Sequence, residues 1–378
     1  MWQRMGIWGL AILMAAALGA APQERILRES PVAKVREWRL AAPVTYEHLS
    51  IFPVVAKRWA ETGGYQTLDE ALASGDAVVS ERGGEIIRRS RDGRPVPLPV
   101  QQGGAQVGQL VLVNRGAKPL VLLAGEIVSG GKQDRVVSKD RIVAPGSDPL
   151  PLDVFCVERG RWSGGTAKFS AGLMMVHPSV REKAAVDQSQ SEVWAAVRSG
   201  STAPAARVEV EAGAATLSRD TLGRVIASEA QSESYIKVYK GSRVGQSVES
   251  FAEEVERRFA RAVREMKDER VVGVVVAYGG EVAWADAFAS PELFDRYWGK
   301  LLRSYVVEAL ARPASQERAT LDDAQEFLRA LEGRETIESE PGVYRWRQIA
   351  AGRYAEIELE ALATKPLTLH WVKIRRTS

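Results

Sequence analysis

Residues 271–288 read Val-Val-Gly-Val-Val-Val-Ala-Tyr-Gly-Gly-Glu-Val-Ala-Trp-Ala-Asp-Ala-Phe. Two runs rich in β-branched and aromatic residues meet at Gly279-Gly280, a pair that adopts the positive φ angles of a tight hairpin turn. Ser290 then offers a helix cap and Pro291 a first helical residue without a donor to waste. The apolar positions that follow, Leu293, Phe294, Tyr297, Trp298, Leu301, Leu302, Tyr305 and Val306, recur at helical spacing. A stripe two residues wide is a packing face, not a cofactor box. An antiparallel hairpin feeding a core helix is therefore the nucleus of the reading.

Upstream, apolar residues at 244, 248, 251, 255, 259, 263 and 266 predict an amphipathic helix, and Pro178–Arg198 predicts another. The Ser-, Ala- and Gly-rich stretch near 199–216 reads as a flexible loop. Earlier still, Tyr46–Val55 (broken at Pro53), Ala77–Ser80, Val107–Asn114, Leu120–Val128, Val136–Val143 and Leu152–Val157 read as strands. Among them, Thr67 and Glu70 form a capping box for a short helix that Gly75 stops. Downstream, Thr320 and Asp323 cap a last helix. Tyr344–Ile349, Tyr354–Leu362 and Leu367–Ile374 then predict a three-strand antiparallel meander. The expected class is α+β: a β-rich N-terminal half, central helices with an inserted hairpin, and a C-terminal meander.

Met1–Arg4 with one charge, the apolar run Met5–Ala21 and its small residues before Pro22 read as a secretory signal. The expected organisation is a signal at 1–20, a tether at 21–40 and one large domain at 41–376, working outside the cytoplasm. Membrane contact is expected only through a signal that is retained. Arg4 leaves with the signal, so 50 basic residues face 48 acidic ones, without the basic excess of a nucleic-acid binder. Cys156 is the only cysteine, which excludes an internal disulfide. His48, His177 and His370 lie far apart, so no zinc-type ligand spacing is present. No dinucleotide fingerprint, Walker loop, nucleophile elbow or His-Glu-x-x-His pair occurs, and no cofactor is expected. Oligomeric state has no sequence signal.

Several segments occur together in a fixed order: Leu122-Leu123-Ala124-Gly125-Glu126-Ile127-Val128, Gly130-Gly131-Lys132-Gln133-Asp134-Arg135, Pro145-Gly146-Ser147 and Phe155-Cys156-Val157-Glu158-Arg159-Gly160-Arg161-Trp162. With Val272-Gly273-Val274-Val275-Val276, Asp286-Ala287-Phe288 and Leu301-Leu302-Arg303-Ser304-Tyr305, the set resembles the ARG and rhodanese-phosphatase-superfamily-associated protein domain family. That family is named for its genomic company, ADP-ribosylglycohydrolases and rhodanese-type phosphatases. The resemblance implies a link to ADP-ribose or phosphorylated nucleotide derivatives.

The densest polar cluster is Glu126–Asp140. Gly130 and Gly131 let backbone N–H groups approach an anion, Lys132 and Arg135 supply positive charge, and Gln133 adds hydrogen bonds. Glu126 and Asp134 are candidate general bases, on the condition that burial raises a carboxyl pKa. Glu158 is a third candidate, oriented by Arg161; Arg161 and Trp162 join Gly130, Gly131, Lys132, Gln133 and Arg135 as candidate ligand-binding residues. The alternative is a solvated hairpin tip with charges paired across strands. Only four residues separate Cys156 from Arg161, and Trp162 stands where a cysteine-phosphatase arginine would be, so Cys156 reads as a small buried apolar residue. Asp286 reads as a cap for the helix region after it. His48 needs an acid brought to it by the fold. The expected function is binding or hydrolysis of a small phosphorylated or ribose-containing ligand; the alternative is a non-catalytic envelope interaction or structural protein.

Overall fold

The computed structural model describes residues 38–81, 108–159, 168–199, 233–236, 243–266, 269–312 and 314–377, with short strands at 23–25, 87–89, 95–97, 205–210 and 213–218. The signal at 1–20 lies outside the described residues.

Strands β1 (Arg39–Leu40) and β2 (Val44–Tyr46) both pair with β3 (Leu49–Ala56). The break expected at Pro53 does not occur. Proline withholds one donor, but its carbonyl still accepts from Ala41 N–H at 2.9 Å, so the ladder loses a single bond. Helix α1 (Leu68–Ser74) carries the capping box of Thr67 and Glu70 and ends at Gly75 with φ 80°.

Six of the strands that follow are β4 (Ala77–Glu81), β5 (Gln109–Asn114), β6 (Glu126–Gly130), β7 (Arg135–Val137), β8 (Leu150–Cys156) and β9 (Lys168–Met175). They close into an antiparallel barrel in the order β6, β7, β8, β5, β4, β9. Val79, Leu110, Leu112, Val128, Val137, Leu152, Val154 and Phe169 belong to its apolar core, and closure leaves no edge to protect.

Two expected strands are each split. Leu120–Val128 divides into Leu120–Leu122 and β6 because Gly125 turns at φ 97°. A Cβ there would sit 2.4 Å from the Arg181 side chain. Val136–Val143 divides because Asp140 turns inward to accept the Ala124 N–H at 2.7 Å. Similarly, the single helix expected at 178–198 is α2 (Pro178–Glu182), a π-turn at Lys183–Asp187 and α3 (Gln190–Ser199), parted where Gln188 adopts φ 50°. Ala205–Val210 pairs with Gly213–Ser218 inside the stretch read as a loop.

Helix α4 (Arg243–Arg264) precedes the predicted hairpin, β10 (Arg270–Tyr278) and β11 (Glu281–Phe288), and helix α5 (Pro291–Ala311) follows it. Helix α6 (Leu321–Phe327) leads into β12 (Arg334–Glu340), β13 (Tyr344–Ala351), β14 (Tyr354–Ala361) and β15 (Leu367–Arg375). One antiparallel sheet runs β1, β3, β10, β11, β15, β14, β13, β12, with Gln23–Arg25 beyond β12. The class is α+β, and the meander gains a fourth strand, β12, whose polar sequence carries no alternating signal.

The sheet is covered on both sides. Val274, Val276, Trp284 and Phe288 pack with Phe251, Val255 and Phe259 of α4 and with Tyr297 and Leu301 of α5. Phe52, Val275, Ala277 and Trp371 pack with Ala324 and Phe327 of α6. Val121, Ile127, Val136 and Ile142, from the barrel and the ladder beside it, join the α5 layer. Fully burying such a side chain is worth about 1.5–3 kcal/mol, so apolar packing fastens the barrel to the helices.

At Gly273, a Cβ would lie 2.3 Å from the Asp286 carbonyl oxygen and 2.6 Å from Ala287 Cα, both backbone atoms that cannot step aside. Gly273→Ala is expected to cost about 1–3 kcal/mol, read as a lower urea midpoint. Gly64→Ala, with nothing within 4 Å, should leave the midpoint unchanged.

Candidate functional site

Strand register gathers the predicted hairpin and several neighbours on one rim of the barrel. Ser80 lies opposite Lys168, Gly130 opposite Phe169, and Arg135 opposite Cys156. Gly130 and Gly131 hold φ angles of 134° and 54°. At Gly131 a side chain would meet the Phe169 ring at 2.3 Å and Glu81 Oε1 at 2.7 Å. The bare turn therefore lets its Lys132 N–H donate to Glu81 Oε1 at 2.9 Å. Arg135 Nη1 donates to Gln133 Oε1 at 3.2 Å, and Arg135 Nη2 lies 3.9 Å from Glu81 Oε1.

The solvated-tip reading fails here. Gln133, Asp134 and Arg135 are buried, Arg135 completely. Asp134 is already engaged, accepting Ser129 O–H at 2.8 Å and Gly130 N–H at 3.4 Å. Cys156 is buried, and its thiol is pushed up to about 11 mainly by that burial. The Gln190 side chain brackets its backbone, accepting from Cys156 N–H at 2.8 Å and donating to its carbonyl at 3.0 Å. The backbone of Glu158 pairs with Ser234. The Glu158 side chain, Arg161 and Trp162 lie outside the described residues.

Glu126 is taken elsewhere. It begins β6, where its carboxylate accepts from Lys300 and from Leu123 N–H, the latter at 2.6 Å. Lys300 also donates to Asp69 of α1 at 2.8 Å. Burial raises the Glu126 pKa, and Asp69 adds to the rise while Lys300 opposes it. Burial alone would lower Lys300, but Glu126 and Asp69 together hold it above its ordinary value. The condition set for Glu126 as a base is met in direction, while its partners Lys300 and Leu123 differ from Ser129 and Gly130, which bond Asp134.

A third constellation had no sequence signal. Asp286 does not cap α5; Ser290 does, accepting from Leu293 N–H at 3.0 Å. Instead Asp286 receives both terminal nitrogens of Arg181, at 2.8 and 2.9 Å, with His370 Nε2 at 3.0 Å, Trp284 Nε1 at 2.6 Å and the Tyr305 hydroxyl. His370 Nδ1 lies 2.5 Å from Asp140 Oδ2. Ala124 closes the circuit, its N–H on Asp140 and its carbonyl accepting Arg181 Nε at 2.8 Å. All four charged side chains are buried. With a carboxylate at each ring nitrogen, His370 is an imidazolium, so two cations balance two anions. His48 Nε2 pairs with the Ala309 carbonyl at 2.8 Å.

Burial would raise the Asp286 pKa, but Arg181, seconded by His370, holds it well below the carboxylate range. Its stabilisation is present above about pH 4 and is lost as pH falls toward the folded value. His370 runs the other way. Burial lowers its pKa, but Asp140 and Asp286 lift it above the ordinary value. Its contribution is full below about pH 6.5 and fades as pH rises through the folded value. Urea midpoints against pH should therefore fall at both ends, and His370→Gln should remove the alkaline limb. Asp286→Asn should cost about 3–5 kcal/mol by leaving Arg181 buried and unpaired.

No curated protein and no solved structure gives a match. The family model of the ARG and Rhodanese-Phosphatase-superfamily-associated Protein domain matches residues 37–373, a span that contains the barrel rim, the Lys300 pair and the Asp286 circuit. The chain therefore belongs to that family.

Proposed function

We propose that this protein is exported and binds a small phosphorylated or ribose-containing ligand at the barrel rim. The observation that carries the reading is a cluster of cations: Lys132, Arg135 and Lys168 gather on this rim, where the carboxylates among the described residues are Glu81 and Asp134. A phosphate is a natural complement of such a cluster. The glycine turn beside it keeps backbone and ligand at close range. Binding, rather than hydrolysis, is the activity we assign. Asp134 is engaged by its own turn, and Glu126 is committed to Lys300.

A second reading, a non-catalytic envelope protein with an interaction surface, is favoured by Trp59. At 41% it is the only exposed large apolar side chain among the described residues, and exposed Lys57 and Arg58 precede it.

The test is a thermal-shift screen of the chain from Ala21 onward against inorganic phosphate, ribose 5-phosphate and ADP-ribose. A ligand at a hundred times its Kd adds about 2.7 kcal/mol to stability, which appears as a clear rise in Tm. Lys132→Ala combined with Lys168→Ala should abolish the rise while the ligand-free protein still melts in one cooperative transition. No rise with any of the three compounds at millimolar concentration sinks the reading. Export is checked separately: envelope-fraction protein should begin near Ala21 on N-terminal sequencing.

A further inference from the structure

Glu81, the last residue of β4, is held by far fewer bonds than Asp286. Asp286 accepts five hydrogen bonds from four side chains. Glu81 accepts one, from Lys132 N–H at 2.9 Å, and the nearest Arg135 nitrogen, at 3.9 Å, stands beyond hydrogen-bond reach. Its Oε2 is buried and has no hydrogen-bond partner among the described residues. The side chain is only 8% exposed. An ionised carboxylate offers about four acceptor sites, and a buried one left unmet is costly.

The surroundings restrict what fits that oxygen. Its need is for a donor, so a phosphate, which brings acceptor oxygens and negative charge, is the wrong group there. Arg135 close by disfavours a second bare cation. A hydroxyl donates a proton without adding charge and satisfies both constraints. The neighbouring rim carries exposed Lys168 and half-buried Gly130 and Lys132.

We infer that Glu81 is the ligand-selecting residue of this rim, its Oε2 accepting a hydrogen bond from a sugar hydroxyl while the cationic side chains take the phosphate. The inference rests on the binding reading above and sharpens it: the ligand is a hydroxyl-bearing sugar phosphate, and a bare phosphate is a poor substitute. No sequence signal marks Glu81, which ends a short strand before an arginine-rich stretch.

Isothermal titration of the chain from Ala21 onward with ribose 5-phosphate, 2-deoxyribose 5-phosphate and inorganic phosphate tests it. Wild-type protein should prefer ribose 5-phosphate over the deoxy sugar by roughly tenfold or more, the scale of a hydrogen bond to a charged group. Glu81→Ala should bind the two sugars equally and keep its affinity for phosphate. Glu81→Gln, which preserves shape, should narrow the preference and covers an unfolded alanine variant. Equal binding of both sugars by the wild type, or an undiminished preference in the folded variants, overturns the role of Glu81 and leaves the binding reading standing. If none of the three compounds binds the wild type, both readings fall.

Discussion

The Asp286 carboxylate is the constraint around which the molecule is arranged. A bare carboxylate in a dry interior is prohibitively unfavourable, and this one is met by donors from α2, β11, α5 and β15. Satisfying it dictates backbone far from β11. Arg181 reaches Asp286 across the space that a side chain at residue 125 would fill, so that position is glycine and the strand entering the barrel breaks there. Asp140 answers the other side of His370 and breaks a second strand. Removing one member would strand the rest as unpaired buried charges, which is far costlier than the net worth of any single pair.

Helix α5 carries this logic along its length. Lys300 joins Glu126 and Asp69 at its middle, and Tyr305 joins Asp286 beyond it. Toward the C-terminal end Glu308 accepts the Ser179 N–H and O–H at 3.1 and 2.8 Å and Arg312 Nε at 3.0 Å. One helix thus presents an apolar layer to the sheet and a row of fully engaged polar groups to the barrel side and α2. Beside the engaged carboxylates along α5, Glu81 at the barrel rim is sparsely bonded.

Sequence reading succeeded where a local pattern suffices. The hairpin around Gly279-Gly280, the Ser290 cap, the Thr67 and Thr320 capping boxes and the C-terminal meander all follow from periodicity and turn chemistry within a few residues. It failed where a distant group decides. Gly125 is legible as a possible break, but only Arg181, more than fifty residues on, makes it one. Asp286, Arg181, His370 and Asp140 look like isolated charges because their partners lie 84 to 230 positions away. Of the predicted rim residues, Gly130 to Arg135 stay together because they are consecutive. Glu126 departs because its face is set by Lys300, a contact spanning 174 positions.

The pairing of β3 with β10 joins residues 49–56 to residues 270–278. The whole barrel and the helices α2 to α4 lie in the loop between them. Closing so long a loop is entropically slow, and non-local strand pairing of this kind puts a chain among the slow folders. A chain emerging from its N-terminus keeps β3 without this neighbour until the last third is available. In that interval one edge of β3, with Phe52, Val54 and Val55 that are all buried in the finished fold, lacks its neighbour and is open to aggregation. The barrel can form early from contiguous sequence, but the sheet waits for the end of the chain, and its lifetime as an incomplete structure is set by topology.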